Sequence, residues 1–203
     1  MIQKNSFSSS ENLLPLDGEA YYLPNFFSPQ DSATFFPLLL ETVPWKQEPI
    51  RMFGKQVMQP RLTAYFGDPH LTYTYSGITM QPESWSEPLL TIREKVEAVA
   101  GTKFTAALLN QYRNGADSMG WHRDNERSLG PNPLIASVSF GAARKFSLRH
   151  YTNKKLLRSI NLEDGSLLLM KGATQHHWEH QLPKTALPTG LRINITFRVV
   201  LPA

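Results

Sequence analysis

The residues best suited to chemistry are His122 and Asp124, two positions apart in Trp121-His122-Arg123-Asp124, with His180 far downstream in Trp178-Glu179-His180. On an extended segment, residues i and i+2 project to the same side, so an imidazole and a carboxylate could converge there. Two imidazoles and one carboxylate can hold one face of a metal and leave the opposite face open, which fits non-haem iron better than a closed structural zinc site. Spacing alone does not fix the second imidazole, because His150, His176 and His177 compete with His180. The chain has no cysteine, which leaves only oxygen and nitrogen ligands and favours a reducing compartment.

The stretch Leu191 to Leu201 reads as a strand with two unlike faces. Ile193, Ile195, Phe197 and Val199 share one face, and Arg192, Asn194, Thr196 and Arg198 share the other. The polar face either meets solvent or lines a cavity. In a cavity its two guanidiniums would form an anion site suited to carboxylates. Asn110 and Tyr112 likewise share one face of a strand, just ahead of the loop into His122.

The elements that must position these groups are mostly strands. Short apolar segments recur at Phe104–Tyr112, Leu134–Phe140, Arg144–His150, Leu156–Leu162, Ser166–Met170, His176–Leu182 and Leu191–Leu201. Turn-rich stretches such as Gly130-Pro131-Asn132-Pro133 and Asp164-Gly165 separate them, which indicates a sandwich or jelly roll. Before them, Glu19 to Leu23 is expected as a short strand. Ser28-Pro29-Gln30-Asp31 starts a helix carrying Phe35, Phe36, Leu39 and Leu40 to the core, and Pro37 is expected to kink or shorten it. A second helix is expected from Ser86-Glu87-Pro88 to Ala100, stopped by Gly101. Trp45 to Phe66, broken by Gly54 and Pro60, reads as strands with an exposed turn.

At 203 residues, 41% hydrophobic and 11% aromatic, the chain suits one globular domain, and global disorder is excluded. No apolar run approaches a membrane span, so no membrane partner is expected. Met1-Ile2-Gln3-Lys4-Asn5 leads into Ser8-Ser9-Ser10 without a hydrophobic stretch, so secretion is not expected. The net charge of +4 is compatible with a polyanionic partner.

The segments Leu109-Asn110-Gln111-Tyr112-Arg113-Asn114-Gly115, Trp121-His122-Arg123-Asp124-Asn125-Glu126 and Ile135-Ala136-Ser137-Val138-Ser139-Phe140-Gly141 resemble the AlkB family of Fe(II)/2-oxoglutarate dioxygenases. So do His177-Trp178-Glu179-His180-Gln181-Leu182-Pro183 and Arg192-Ile193-Asn194-Ile195-Thr196-Phe197-Arg198, and the likeness runs in one order from about Trp45 to the end of the chain. It implies a mainly β fold with flanking helices, built as a double-stranded β-helix (jelly roll) with an N-terminal nucleotide-recognition region. Residues 1–15 would be a flexible tail, 16–103 the helices, lid and hairpin, and 104–203 the dioxygenase core, together one compact domain. The resemblance assigns Fe(II) to His122, Asp124 and His180. It assigns 2-oxoglutarate to Asn110, Tyr112, Arg192 and Arg198, with Asn194 a further candidate. O₂ is the remaining co-substrate.

The likeness is greatest to the branch that repairs alkylated bases. The implied reaction is oxidative demethylation of 1-methyladenine and 3-methylcytosine in DNA, single- or double-stranded, and also RNA, by a monomer in the cytoplasm (nucleoid) or nucleus. Leu71-Thr72-Tyr73-Thr74-Tyr75-Ser76-Gly77 resembles that branch's lid, with Tyr73 and Tyr75 stacking on a flipped base, Ser76 nearby, and Glu126 favouring a cationic lesion. Arg51-Met52-Phe53-Gly54-Lys55 resembles the hairpin that wedges an aromatic ring into duplex, with Phe53 as wedge and Arg51 and Lys55 on phosphates. Arg61 and Arg123 are further phosphate or pocket candidates. Asn125 stands where relatives often carry an acid, and Tyr75 where Phe also occurs. The alternatives are the same chemistry on another target, or a metal-binding jelly roll that binds nucleic acid without oxidising it.

Overall fold

Fourteen strands and three helices follow one another as β1 (Glu19–Leu23), α1 (Pro29–Thr42), β2 (Pro49–Met52), β3 (Lys55–Met58), β4 (Leu62–Gly67), β5 (Tyr73–Tyr75), β6 (Ile78–Met80) and α2 (Glu87–Ala100). The second half runs β7 (Ala106–Tyr112), β8 (Met119–His122), β9 (Ile135–Gly141), β10 (Arg144–His150), β11 (Leu157–Leu162), β12 (Ser166–Lys171), α3 (Thr174–His177), β13 (Trp178–Leu182) and β14 (Arg192–Arg198). This is a computed structural model that describes residues 11–52, 55–75 and 78–201, with side chains for all of these except 50–52, 55, 73–75, 78 and 79.

Two antiparallel sheets organise the molecule. The larger has the order β1-β12-β9-β14-β7-β4 and the smaller β11-β10-β13-β8. Alternation along each strand sorts side chains between two cores. On the outer face of the large sheet, Ala107, Leu109, Val138, Phe140, Ile193, Ile195 and Phe197 pack with Leu39 of α1 and with Leu89, Ile92 and Val96 of α2. On its inner face, Tyr65, Ala106, Ile135, Leu168 and Met170 meet Phe146, Leu148 and Trp178 of the small sheet. The layers are therefore helices, large sheet, small sheet, as the jelly roll requires. Each fully buried Leu or Phe contributes roughly 1.5–3 kcal/mol.

Both helices begin and end as their sequences imply. Ser28 Oγ accepts from Asp31 N while Asp31 Oδ2 accepts from Ser28 N, each at 3.1 Å, a reciprocal cap on α1. Gly101 closes α2 at φ 67, where a side chain would be strained. The expected shortening at Pro37 does not occur, and α1 continues to Thr42. Pro37 and Ala33, whose carbonyl loses its usual partner, are both exposed, so water can replace the missing bond while Leu39 anchors the last turn.

Other boundaries also move. β8 stands where a loop into His122 was expected, and His176 and His177 belong to α3 rather than to the strand after it. Of the tail expected over 1–15, residues 1–10 lie outside the described residues. Residues 11–15 are docked: Leu14 is buried, and Asn12 Oδ1 accepts from Leu14 N and Ala20 N. The jelly roll expected from 104–203 draws both edges of its large sheet, β1 and β4, from earlier in the chain. Gly141, at φ +85, ends β9; a Cβ there would lie 2.5 Å from the Leu191 carbonyl oxygen, so only glycine lets the chain pass as it enters β14.

Candidate metal centre and co-substrate pocket

β8 and β13 pair with His122 directly opposite His180, which puts the ring centroids 4.2 Å apart. Asp124 follows β8 by two residues, and one ligand atom from each of His122, Asp124 and His180 lies within 4.8 Å of the others. Two bonds hold Asp124 in place: its N–H donates to Gln175 Oε1 of α3, and its Oδ2 accepts from Arg198 Nη2 of β14, both at 2.9 Å. Asp124 Oδ1 and His180 Nδ1 are buried without a hydrogen-bond partner, as expected of groups left for a cation.

A second cluster, Asp17, His150 and His177, meets the same distance criterion. The tautomers separate the two. His122 Nδ1 lies 2.8 Å from the Gly120 carbonyl oxygen, which can only accept, so the proton sits on Nδ1 and the Nε2 lone pair faces Asp124. His150 Nδ1 accepts from the Asn153 amide at 3.0 Å, so its proton sits on Nε2, which faces Asp17 Oδ2 at 3.4 Å. That ring turns a proton rather than a lone pair toward Asp17, which makes this cluster less suited to a metal than His122, Asp124 and His180. His176 offers its backbone oxygen to Arg123 Nη1.

Electrostatics favour a deprotonated ligand set at neutral pH. Burial lowers His180 to about 3, helped by the neighbouring His122, and burial also lowers His122. Burial alone would raise Asp124, but the Arg198 charge and both histidines reverse this and bring it to about 2. A histidine depressed on folding binds fewer protons folded than unfolded. Its stabilising contribution is therefore present above the ordinary histidine range near 6.5 and is lost as pH falls toward 3, whereas that of Asp124 is present above 3.8 and is lost as pH falls from there to about 2. The metal-free protein should thus lose melting temperature steadily below pH 6.5, and His180→Leu should flatten that slope between pH 6.5 and 4. An unchanged slope in the variant would refute this account of His180.

β14 supplies the polar wall. Arg192, Asn194, Thr196 and Arg198 are all buried and line one pocket together with Asn110, Tyr112, His122, Asp124 and His180. The pairing of β14 with β7 sets Arg192 opposite Tyr112 and Asn194 opposite Asn110. Arg192 is 1% exposed, and Nη2 donates to Ser139 Oγ at 2.9 Å, while Nε and Nη1 have no hydrogen-bond partner. Burial lowers its pKa to about 10, so it stays cationic. A buried guanidinium with two unsatisfied donors beside a candidate metal centre fits the carboxylate of a dicarboxylic co-substrate.

Other expected residues are placed differently. Asn194 is fully engaged: Nδ2 donates to Ser137 Oγ and Val138 O, and Oδ1 accepts from Thr196. It has no donor left for a carboxylate and acts as a strut. Arg61 is 4% exposed and turned inward, where it bonds Asn110, so it is not placed to meet a phosphate. Arg123 lies 4.0 Å over the Tyr151 ring. Glu126 stands at the start of the 3₁₀ turn Arg127–Leu129 and is absent from the pocket lining. Phe53 and Ser76 lie outside the described residues, as do the side chains of Arg51, Lys55, Tyr73 and Tyr75. Their backbones form two ladders, β2-β3 with Met52 opposite Lys55, and β5-β6 with Tyr75 opposite Ile78.

Three supports were not singled out from the sequence. Ser137 and Ser139 alternate on β9 and face β14, a period-2 signal like the one read in the last strand. Gln175 is fully buried beneath Asp124 and carries no sequence signal of its own. Arg144 is buried and donates to the Asn114, Asp117 and Pro183 carbonyls, tying together the loops around β8 and β13.

Comparison with known proteins agrees with this geometry. A family model described as "2OG-Fe(II) oxygenase superfamily" matches residues 19–198. The Bos taurus protein "Alpha-ketoglutarate-dependent dioxygenase alkB homolog 3" is 42% identical over 189 residues, covering 88% of this chain and 65% of its own length. The Mus musculus protein "DNA oxidative demethylase ALKBH2" is 43% identical over 160 residues, covering 75% of this chain and 67% of its own. The chain thus spans about two thirds of these relatives. The solved "structure of OsALKBH1" superposes with a TM-score of 0.63 at 17% identity, covering 88% of this chain and 97% of that one, and so shares the fold. With that fold, a His-Asp-His cluster opening on a buried arginine, and these relatives, the chain belongs to the 2OG-Fe(II) oxygenase superfamily and, within it, to the AlkB family.

Proposed function

We propose that the chain catalyses Fe(II)- and 2-oxoglutarate-dependent oxidative demethylation of N-alkylated bases, 1-methyladenine and 3-methylcytosine, in DNA and also in RNA. The observation that carries the chemistry is the His122–Asp124–His180 cluster sharing one pocket with the under-bonded Arg192 guanidinium. Support for the nucleic-acid substrate comes from relatives described as DNA oxidative demethylases.

In this reading His122, Asp124 and His180 hold the metal. Arg192 pairs with the far carboxylate of 2-oxoglutarate, and Asn110 and Tyr112 contact its near end. Arg198 keeps Asp124 anionic and oriented. With iron bound, O₂ and 2-oxoglutarate supply the oxidation of the N-methyl carbon, and the products are succinate, CO₂, formaldehyde and the unmodified base. The apolar lining, with Leu108, Phe146, Leu162 and Leu182, excludes bulk water from the reacting atoms. The β5-β6 ladder would close over a flipped base and the β2-β3 hairpin would enter the duplex. On this reading the chain acts as a monomer in a DNA-containing compartment.

The test is 2-oxoglutarate turnover with Fe(II), read as succinate. Oligonucleotides containing 1-methyladenine or 3-methylcytosine should stimulate it several-fold over unmethylated controls. Equal turnover with and without the lesion would remove the substrate assignment and leave an oxygenase of another target. For the hairpin, Phe53→Ala should reduce action on duplex more than on single strands, and equal losses would argue against a wedge.

A further inference from the structure

Asn110 and Asn194 face each other across β7 and β14, yet they are held in opposite ways. The Asn194 amide is engaged at both ends. Asn110, 3% exposed on the pocket wall, is held only at its oxygen, where Arg61 Nε donates to Oδ1 at 2.7 Å. Among the described residues no hydrogen bond to Asn110 Nδ2 is found. A guanidinium has five donors and no acceptor, so it can meet only the oxygen end of an amide. The bond to Arg61 therefore decides which end of Asn110 is presented to the pocket.

Arg61 is itself fixed. It immediately precedes β4, whose Thr63 pairs with Asn110, and its Nη1 donates to the Ser118 carbonyl at 3.3 Å. Ser118 N in turn donates to the Pro60 carbonyl at 2.9 Å, closing a loop of bonds around the arginine.

We infer that Arg61 is a positioning residue for the co-substrate: it turns the Asn110 oxygen back toward β4 and presents the Asn110 NH₂ as a donor to a 2-oxoglutarate oxygen. This rests on the reading of the pocket as a 2-oxoglutarate site. Arg61 is not in the pocket lining and reaches the co-substrate through Asn110. Without it the amide can rotate and offer its oxygen, which repels a carboxylate or keto oxygen.

The test is calorimetric titration of 2-oxoglutarate into the full chain loaded with Mn(II), in wild type, Arg61→Met, Arg61→Lys, Asn110→Ala and the two double variants. Arg61→Met should weaken 2-oxoglutarate about tenfold, the scale of one hydrogen bond to a charged ligand. Arg61→Lys keeps one donor and the charge and should weaken it less, by about threefold, with Mn(II) affinity unchanged in this variant. Neither change should have any effect in the Asn110→Ala background. The lysine variant keeps the comparison available should the methionine variant not fold. Unchanged 2-oxoglutarate affinity, or equal losses with and without Asn110, would overturn the inference alone. A wild-type protein that binds no 2-oxoglutarate would overturn the pocket reading and this inference with it.

Discussion

Asp124→Ala should abolish 2-oxoglutarate turnover, by at least about a thousandfold, because a third of the protein's grip on the metal is lost along with its negative charge. The same change removes a buried partner of Arg198, and breaking a buried ion pair costs about 3–5 kcal/mol. Lost activity could then reflect a weakened fold, so Asp124→Asn is the sharper variant. The amide oxygen can still accept from Arg198 and the backbone bond to Gln175 is untouched, but the carboxylate is gone. Asp124→Asn should therefore melt cooperatively near the wild-type temperature and retain little iron. Elemental analysis of the purified protein reads the second outcome. An active Asp124→Asn protein with a full complement of iron would remove Asp124 from the metal site.

Arg192→Met should raise the KM for 2-oxoglutarate about a hundredfold, since two charge-assisted hydrogen bonds of roughly 1.5 kcal/mol or more each are lost. Its effect on stability should run the other way. In the free protein Arg192 is buried with Nε and Nη1 unsatisfied, so Ser139 and Tyr112 offset its desolvation only in part and a bound anion would offset the rest. Replacing it by an apolar side chain of similar length removes that cost. The variant without co-substrate should melt at or above the wild-type temperature, and 2-oxoglutarate should stabilise the wild type but not the variant. A variant that is both destabilised and normal in KM would assign Arg192 to the core. A gain in stability at the expense of activity is the expected behaviour of a preorganised binding site.

Much of this was legible in the sequence because the groups lie on strands, where period-2 alternation states which side chains share a face. Arg192, Asn194, Thr196 and Arg198 could be grouped that way, and the structure turns their face onto the pocket rather than to solvent. What alternation cannot give is the partner across a sheet. His180 was indistinguishable by spacing from His150 or His177, and the pairing of β13 with β8 separates them. Nor does residue type disclose which hydrogen bonds are already made. Asn194 looked like a co-substrate ligand and is occupied by Ser137, Val138 and Thr196, while Arg61, a phosphate or pocket candidate, is turned inward onto Asn110. Pro37 does not shorten α1 for a related reason. Its local cost is real, but its exposed position lets water satisfy the broken turn and the packing of Leu39 outweighs it.

The most direct measurement is mass spectrometry of an oligonucleotide carrying one 3-methylcytosine, incubated with the protein, Fe(II), 2-oxoglutarate and O₂. Conversion to unmodified cytosine, with one formaldehyde and one succinate per base restored and none of these with Asp124→Asn, is the expected result. A methyl group that persists while wild-type protein consumes 2-oxoglutarate would contradict base demethylation as the function of this site.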